Sequence, residues 1–347
     1  MQPNKFLKAG ILALVIVVVA FTSWELWLRQ HGFDTTYDDD EMLWSDKRSK
    51  VYQPSDEATV FIGSSRIKFD LDIPTWRTLT GEDAVQLAMQ GNSPRPILYD
   101  LADDKNFKGK LVIDVTEPLF FSLNPNSNTE PQGRINFYKK WTPSQRASFK
   151  LNTLAESNLA FLDKNFLSLN AFLNGLHIPD RPGVFRFPDF PFGFHRVTFD
   201  RQAKMTDAFV ADTNEQNKVK AIWNFFRQMN TDKPIDGATL DSVMLTIKVA
   251  VDKIRARGGQ VMFVRTPSSG PMRMGESMGF PRQKYWDRLL KVCNAPGIHF
   301  EDHASIANFR CPEFSHLKPS DAKIFTGHFV ELLEEEGWKF TRKPAIN

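Results

Sequence analysis

Five short apolar runs recur along the chain with helical patterns between them, and this alternation constrains the fold more than any other feature. Residues 58–62, 83–89, 110–115, 261–264 and 298–301 are each too short for a helix and read as strands. Between them lie helical stripes. Ile97, Leu98 and Leu101 follow Ser93-Pro94, a serine N-cap with proline in the first turn. Val243, Ile247, Ala250, Val251 and Ile254 mark a helix over 239–257 that stops at Gly258-Gly259. Further helices are expected near 281–293 and 319–336. Apolar strands alternating with helices predict an α/β fold with a parallel sheet covered on both faces. No internal repeat is visible.

The rhythm breaks from about 123 to 238. Asparagine and proline cluster at 124–128, phenylalanine and proline alternate through 185–194, and helical patches lie near 150–175 and 215–229. This stretch reads as an insertion of helices and loops, a lid or docking surface. Phenylalanine is common (30 residues) and tyrosine scarce (5), and many of the rings fall in this middle third. They make either a Phe-rich core or an acyl groove, with the core the simpler account.

One run bears on the membrane. Residues 9–24 carry no charge, and Leu26, Trp27 and Leu28 extend the apolar character past Glu25. A spanning helix needs about 20 apolar residues. Trp24 and Trp27 suit an interfacial belt, and Lys8 and Glu25 can snorkel. Lys5 and Lys8 precede the run while Asp34, Asp38, Asp39, Asp40 and Glu41 follow it, so the bulk of the chain is expected outside the cytoplasm. A cleaved signal peptide, read at Val18-x-Ala20, is the rival. The run continues past that point without a polar region, which favours an uncleaved anchor. The expected division is an anchor over 1–30, a polar stalk over 31–57, a core over 58–122 and 239–347, and the insertion over 123–238.

With 44 basic against 41 acidic residues, the net charge of +3 is too small and too scattered for a nucleic-acid surface. Cys293 and Cys311 flank one short segment, and in an exported domain a disulfide between them is plausible.

Two short motifs carry the chemistry. Gly63-Ser64-Ser65 follows the first strand, and Glu313-Phe314-Ser315-His316-Leu317 precedes the last helix. Serine is a weak nucleophile until an imidazole takes its proton, and a carboxylate usually orients that imidazole. Each motif alone is short enough to recur by chance; their pairing at the two ends of one α/β pattern points to acyl-ester chemistry. Arg66 and Arg265 fall at predicted strand ends, where they would line a substrate's carboxylate or phosphate, or form salt bridges. Asp302 is a second candidate for the orienting carboxylate. His299-x-x-x-His303 has metal-ligand spacing only on a helix, and in a strand the pair lies about 13 Å apart, so no metal is expected. No phosphate-cradling glycine loop is present and no cofactor is expected.

These blocks resemble the SGNH (GDSL-like) esterase and acyltransferase superfamily over 58–122 and 239–336. The family's Gly-Asp-Ser maps its nucleophile to Ser65, with Ser64 in place of Asp. Its Asp-x-x-His maps to Glu313 and His316, and its second-block glycine maps to Gly91 in Leu87-Ala88-Met89-Gln90-Gly91-Asn92. The chain looks closest to membrane-anchored members, similar to teichoic-acid D-alanylation and polysaccharide O-acetylation proteins, which use Gly-Ser-Ser here. The third block's Gly-x-Asn-Asp is absent, and Thr116-Glu117-Pro118 stands there instead. The resemblance implies a three-layer flavodoxin-like SGNH fold in which Ser65 attacks an ester, His316 carries the proton and Glu313 orients it. Backbone N–H groups of Ser65 and Gly91 would hold the oxyanion, with Asn92 replacing the missing asparagine. It further implies an esterase or O-acyltransferase acting on acyl esters, acetyl first, of a cell-envelope carbohydrate. The place would be the bacterial cytoplasmic membrane, single-pass with the catalytic domain outside, and a membrane-bound acyltransferase is the candidate partner. The missing asparagine leaves one alternative: an inert accessory or carbohydrate-binding subunit that keeps the fold.

Overall fold

Strands β1 (Ala58–Ile62), β2 (Asp83–Gln86), β3 (Lys110–Asp114), β4 (Gln260–Arg265) and β5 (Gly297–His299) coincide with the five apolar runs. The computed structural model describes residues 3–54, 56–176, 188–230 and 232–341. The strands form one parallel sheet in the order β2-β1-β3-β4-β5. Because side chains alternate across a strand, both faces are apolar. Val60, Ile62, Leu111, Ile113 and Phe263 enter one core with the helices Arg95–Asp103, Gly237–Arg255 and Arg282–Cys293. Phe61, Val112, Met262 and Val264 enter the other with Ile73–Thr80 and the terminal helix Pro319–Glu335. The order reverses direction between β1 and β3, and the carboxyl ends of the strands at such a point are where open α/β sheets carry their ligand sites.

The chain divides into two units, one of residues 1–38 and 142–186, the other of 39–141 and 187–347. The sheet lies in the second. In the first, the anchor helix Pro3–Gln30 includes a stretch, Lys5–Gln30, long and apolar enough to cross a membrane. The insertion is therefore not one piece. Its helix Asn126–Lys139 contributes Ile135 to the sheet's core, whereas Pro143–Glu156 belongs with the anchor.

Three expectations are corrected. The polar stalk over 31–57 holds a helix, Glu41–Ser49, whose Trp44 is buried in the core. Two of its aspartates are engaged: Asp40 caps that helix, accepting from Met42 and Leu43 N–H, while Asp39 pairs with Arg201 at 2.6 Å and with Lys68. Burial would raise the Asp39 carboxyl, but Arg201 and Lys68 outweigh it and hold it well below the usual range. The last strand ends at His299 and gives way to a tight turn over Phe300–Asp302. Cys293 and Cys311 are free and buried in the two different cores, which the sheet separates, so they do not pair.

Candidate active site

The serine turn is set by a close approach. A Cβ added to Gly63 would lie 2.6 Å from Asp114 Cβ and 2.7 Å from Ile67 Cγ2, so the backbone passes where only glycine fits. Ser64 then caps the helix Ser65–Asp70. Its hydroxyl lies 2.7 Å from Thr116 Oγ1 and 3.4 Å from Asp114 Oδ2, which fastens the turn to the end of β3. Ser65 is the first helical residue and partly exposed, and its N–H has no intrahelical partner.

The histidine loop is fixed by its own carboxylate. Glu313 Oε1 accepts from His316 N at 2.6 Å, Ser315 N at 3.3 Å and His316 Nδ1 at 2.9 Å. Phe314 between them has φ 80°, a left-handed conformation that bulky residues seldom adopt and that the carboxylate turn helps maintain. Leu317 N donates to Asp70 Oδ1 at 2.9 Å, which ties this loop to the far end of the serine's helix.

These two anchorings bring the motifs together across 251 residues. His316 Nε2 lies 2.8 Å from Ser65 Oγ. A carboxylate only accepts, so Nδ1 carries the proton and Nε2 is left to accept from the serine hydroxyl. Glu313 and His316 are buried. Glu313 Oε2 accepts from the indole N–H of Trp223, on the helix Thr213–Met229. The rings of Phe69, Phe194 and Trp223 surround the imidazole, with centroids 4.4, 5.8 and 6.0 Å away. Together with Phe190, Met205 and Phe209 they form a small apolar core of their own, so the Phe-rich stretch walls the histidine. An apolar wall excludes water and strengthens the charge interactions inside it.

The other expected site residues divide. Gly91 is exposed at φ 65° on the loop after β2, and Met89 N in that loop donates to Gly63 O at 3.0 Å, which keeps the loop beside the serine turn. Asn92 is corrected: its amide donates to Gln90 O at 2.6 Å and Glu130 Oε2 at 3.0 Å, so both its hydrogens are engaged. Of the two readings for Arg66 and Arg265, the salt bridges hold and the substrate lining is corrected, because both side chains are buried against carboxylates. Arg66 donates to Ser315 Oγ at 3.3 Å and pairs with Glu276; Arg265 grips both Glu117 oxygens at 2.9 Å and also pairs with Glu276. Burial opposes the Glu276 charge, but the two guanidiniums outweigh it and draw that carboxyl down to about 2. Thr116 and Glu117, where the family's asparagine was sought, therefore brace the serine turn and Arg265. Asp302 is exposed and held by Arg282 at 2.6 Å, not by His316.

Sequence reasoning missed Trp223, Phe69, Asp70, Asp114 and His195. Burial raises the carboxyls of Asp70 and Asp114 beneath the site. Burial, with Lys68 nearby, pushes His195 down to about 3, and its ring hydrogen-bonds with the Gln90 amide. Asp114 was the one with a signal, a carboxylate ending a strand at the sheet's carboxyl edge. Neither a scan of known protein families nor a search of curated proteins returns a match to this chain.

Proposed function

We propose that the chain is a serine-dependent ester hydrolase or O-acyltransferase of the SGNH type. The observation that carries this is the continuous relay from Ser65 Oγ through His316 to Glu313, at 2.8 and 2.9 Å. The strand order, which is the flavodoxin-like one, and the helices on both faces of the sheet support the family reading. In the reaction Ser65 Oγ attacks the ester carbonyl while its proton passes to His316 Nε2. Glu313 stabilises the imidazolium that forms. The proton goes to the departing alkoxide, leaving the acyl group on Ser65. A water or a sugar hydroxyl then gives its proton to His316, attacks the acyl-enzyme and releases Ser65. N–H groups of Ser65 and Gly91 hold the oxyanion in both halves.

With Asn92 engaged elsewhere, the oxyanion site has no side-chain amide from either expected position. Losing one such donor costs about 100- to 1000-fold in rate, so we infer a slow enzyme on simple esters. The same observation favours the second reading, an inert subunit of an acyl-transfer assembly. The carbohydrate acceptor, acetyl as acyl group, the extracytoplasmic side and a membrane-bound acyltransferase partner follow from the resemblance and the charge asymmetry around the anchor. Fluorophosphonate labelling of the full-length protein in detergent separates the two readings. Labelling that disappears in both Ser65→Ala and His316→Ala supports the enzyme; an unlabelled wild-type chain leaves the inert subunit.

A further inference from the structure

We propose that the helices Pro143–Glu156 and Leu169–Gly175 rest in the headgroup layer of the bilayer that the anchor helix enters. The unit would then hold the chain along the membrane surface as well as through it.

Lys5–Gln30 comprises 26 residues, about 39 Å at 1.5 Å per residue, against a hydrocarbon core of about 30 Å. Its last turns therefore reach the headgroups. The stacked pair Trp24 and Trp27, 5.5 Å apart, suits that depth. One stripe of these turns is covered by the unit's own chain. The Phe21 ring lies 5.4 Å from Phe161, and the Glu25 carboxylate accepts from Ala160 N at 2.9 Å and Phe161 N at 3.1 Å. Arg29 donates to Asn158 O at 2.9 Å. These contacts fix the turn Ala160–Leu162 beside the anchor where it leaves the membrane.

The helices on either side of that turn carry the apolar surface. Leu151 and Leu154, three residues apart, are 71% and 65% exposed. Leu169, Phe172 and Leu173 are 50–73% exposed and follow the i, i+3, i+4 spacing of one helical face, and Leu176, just past the helix end, is exposed as well. Bare apolar rows of this kind mark a contact surface. A lipid surface is the occupant because Leu154 and Leu169 stand only six and seven residues from a turn already fastened to the membrane-spanning helix. An amphipathic helix at that depth lies in the interface plane with its apolar side in the acyl boundary. This inference does not depend on the ester chemistry.

The test uses the full-length chain in vesicles of phosphatidylethanolamine and phosphatidylglycerol containing a lipid with a shallow nitroxide. Leu151→Cys and Leu173→Cys each carry an environment-sensitive fluorophore, with Ser144→Cys and Asn170→Cys as exposed polar controls; the native cysteines are buried. The expected result is severalfold stronger lipid quenching, and weaker quenching by aqueous iodide, at 151 and 173 than at the controls. Iodide quenching equal to that of the controls overturns the proposal. So does protection from iodide without lipid quenching, which would mean that a second copy or another protein covers the face. Circular dichroism of each variant in detergent shows that the fold is retained.

Discussion

Glu313→Gln keeps the side chain's size but turns one oxygen into a donor, and the site has no room for that exchange. Oε1 accepts three N–H groups, at 2.6, 2.9 and 3.3 Å, while Oε2 accepts the Trp223 indole. A carboxamide offers one acceptor, so no orientation serves both sides. With its oxygen toward His316, its NH2 meets the Trp223 N–H, and two buried donors facing each other cost about 1–3 kcal/mol. Turned over, it sets NH2 against the His316 and Ser315 N–H groups, so each orientation leaves buried donors facing one another. It also forces the ring proton onto Nε2, which can then no longer accept from Ser65. In serine-protease triads that wrong tautomer costs about 10⁴ in kcat. Trp223→Phe removes the conflict. The expected pattern in fluorophosphonate labelling or p-nitrophenyl acetate turnover is therefore non-additive. Glu313→Gln alone should lose about 10³- to 10⁴-fold. Trp223→Phe should lose about 10-fold, the lower end of a hydrogen bond to a charged group. The double variant should lose no more than Glu313→Gln alone, because without the indole the amide can keep its oxygen toward His316 and the two backbone N–H groups with no opposing donor. Losses that simply multiply would refute the claim that Trp223 selects the orientation, and a wild-type rate in Glu313→Gln would refute the relay.

Asp302→Asn should leave labelling unchanged, since Asp302 is bound to Arg282 at the surface. Gly63→Ala should lower stability in urea titration by about 1–3 kcal/mol and impair labelling, because the new Cβ collides with Asp114 and Ile67. Glu276→Gln should cost about 3–5 kcal/mol in the same titration, because it strips the shared counter-charge from the buried Arg66 and Arg265. Burial, then Arg265 and Arg282, push His299 from 6.5 down to about 3. Between those values the unfolded chain binds a proton that the folded chain refuses. Stability should therefore fall as pH drops from 6.5 toward 3, by about 1.4 kcal/mol per pH unit from this group, and His299→Gln should remove that share of the slope.

The strands were legible because a parallel sheet buries both faces, which leaves unbroken apolar runs such as Leu111-Val112-Ile113. The Glu313–His316 contact was legible because three residues of spacing suffice to make it. What escaped depends on pairings between distant residues. Asp39 falls in what reads as a polar stalk, yet its partner Arg201 lies 162 residues away. Trp223 sits in a helix whose local pattern gives no sign of Glu313, 90 residues on. Arg66 and Arg265 were placed at the right edge of the sheet, but Glu276, which consumes their charge, belongs to a helix the apolar pattern did not mark. The cysteines were misread for the same reason, since closeness in sequence says nothing about which side of the sheet each enters.

The division of the chain has a consequence for release. Backbone passes from one unit to the other three times, after residues 38, 141 and 186. A cut after residue 141 or 186 leaves the N-terminal helix covalently joined to the sheet-bearing unit. A cut after residue 38 leaves residues 1–38 held only by non-covalent contacts with 142–186, such as those of Glu25 and Arg29 with residues 158–161. A chain begun after residue 30 is no neutral soluble version either. It discards Glu25, and with it the acceptor for the Ala160 and Phe161 N–H groups, while keeping the segment that rested on it. Removing the N-terminal helix thus damages the folded part that stays behind, and the helix is a structural member of this protein as well as a segment long and apolar enough to cross a membrane.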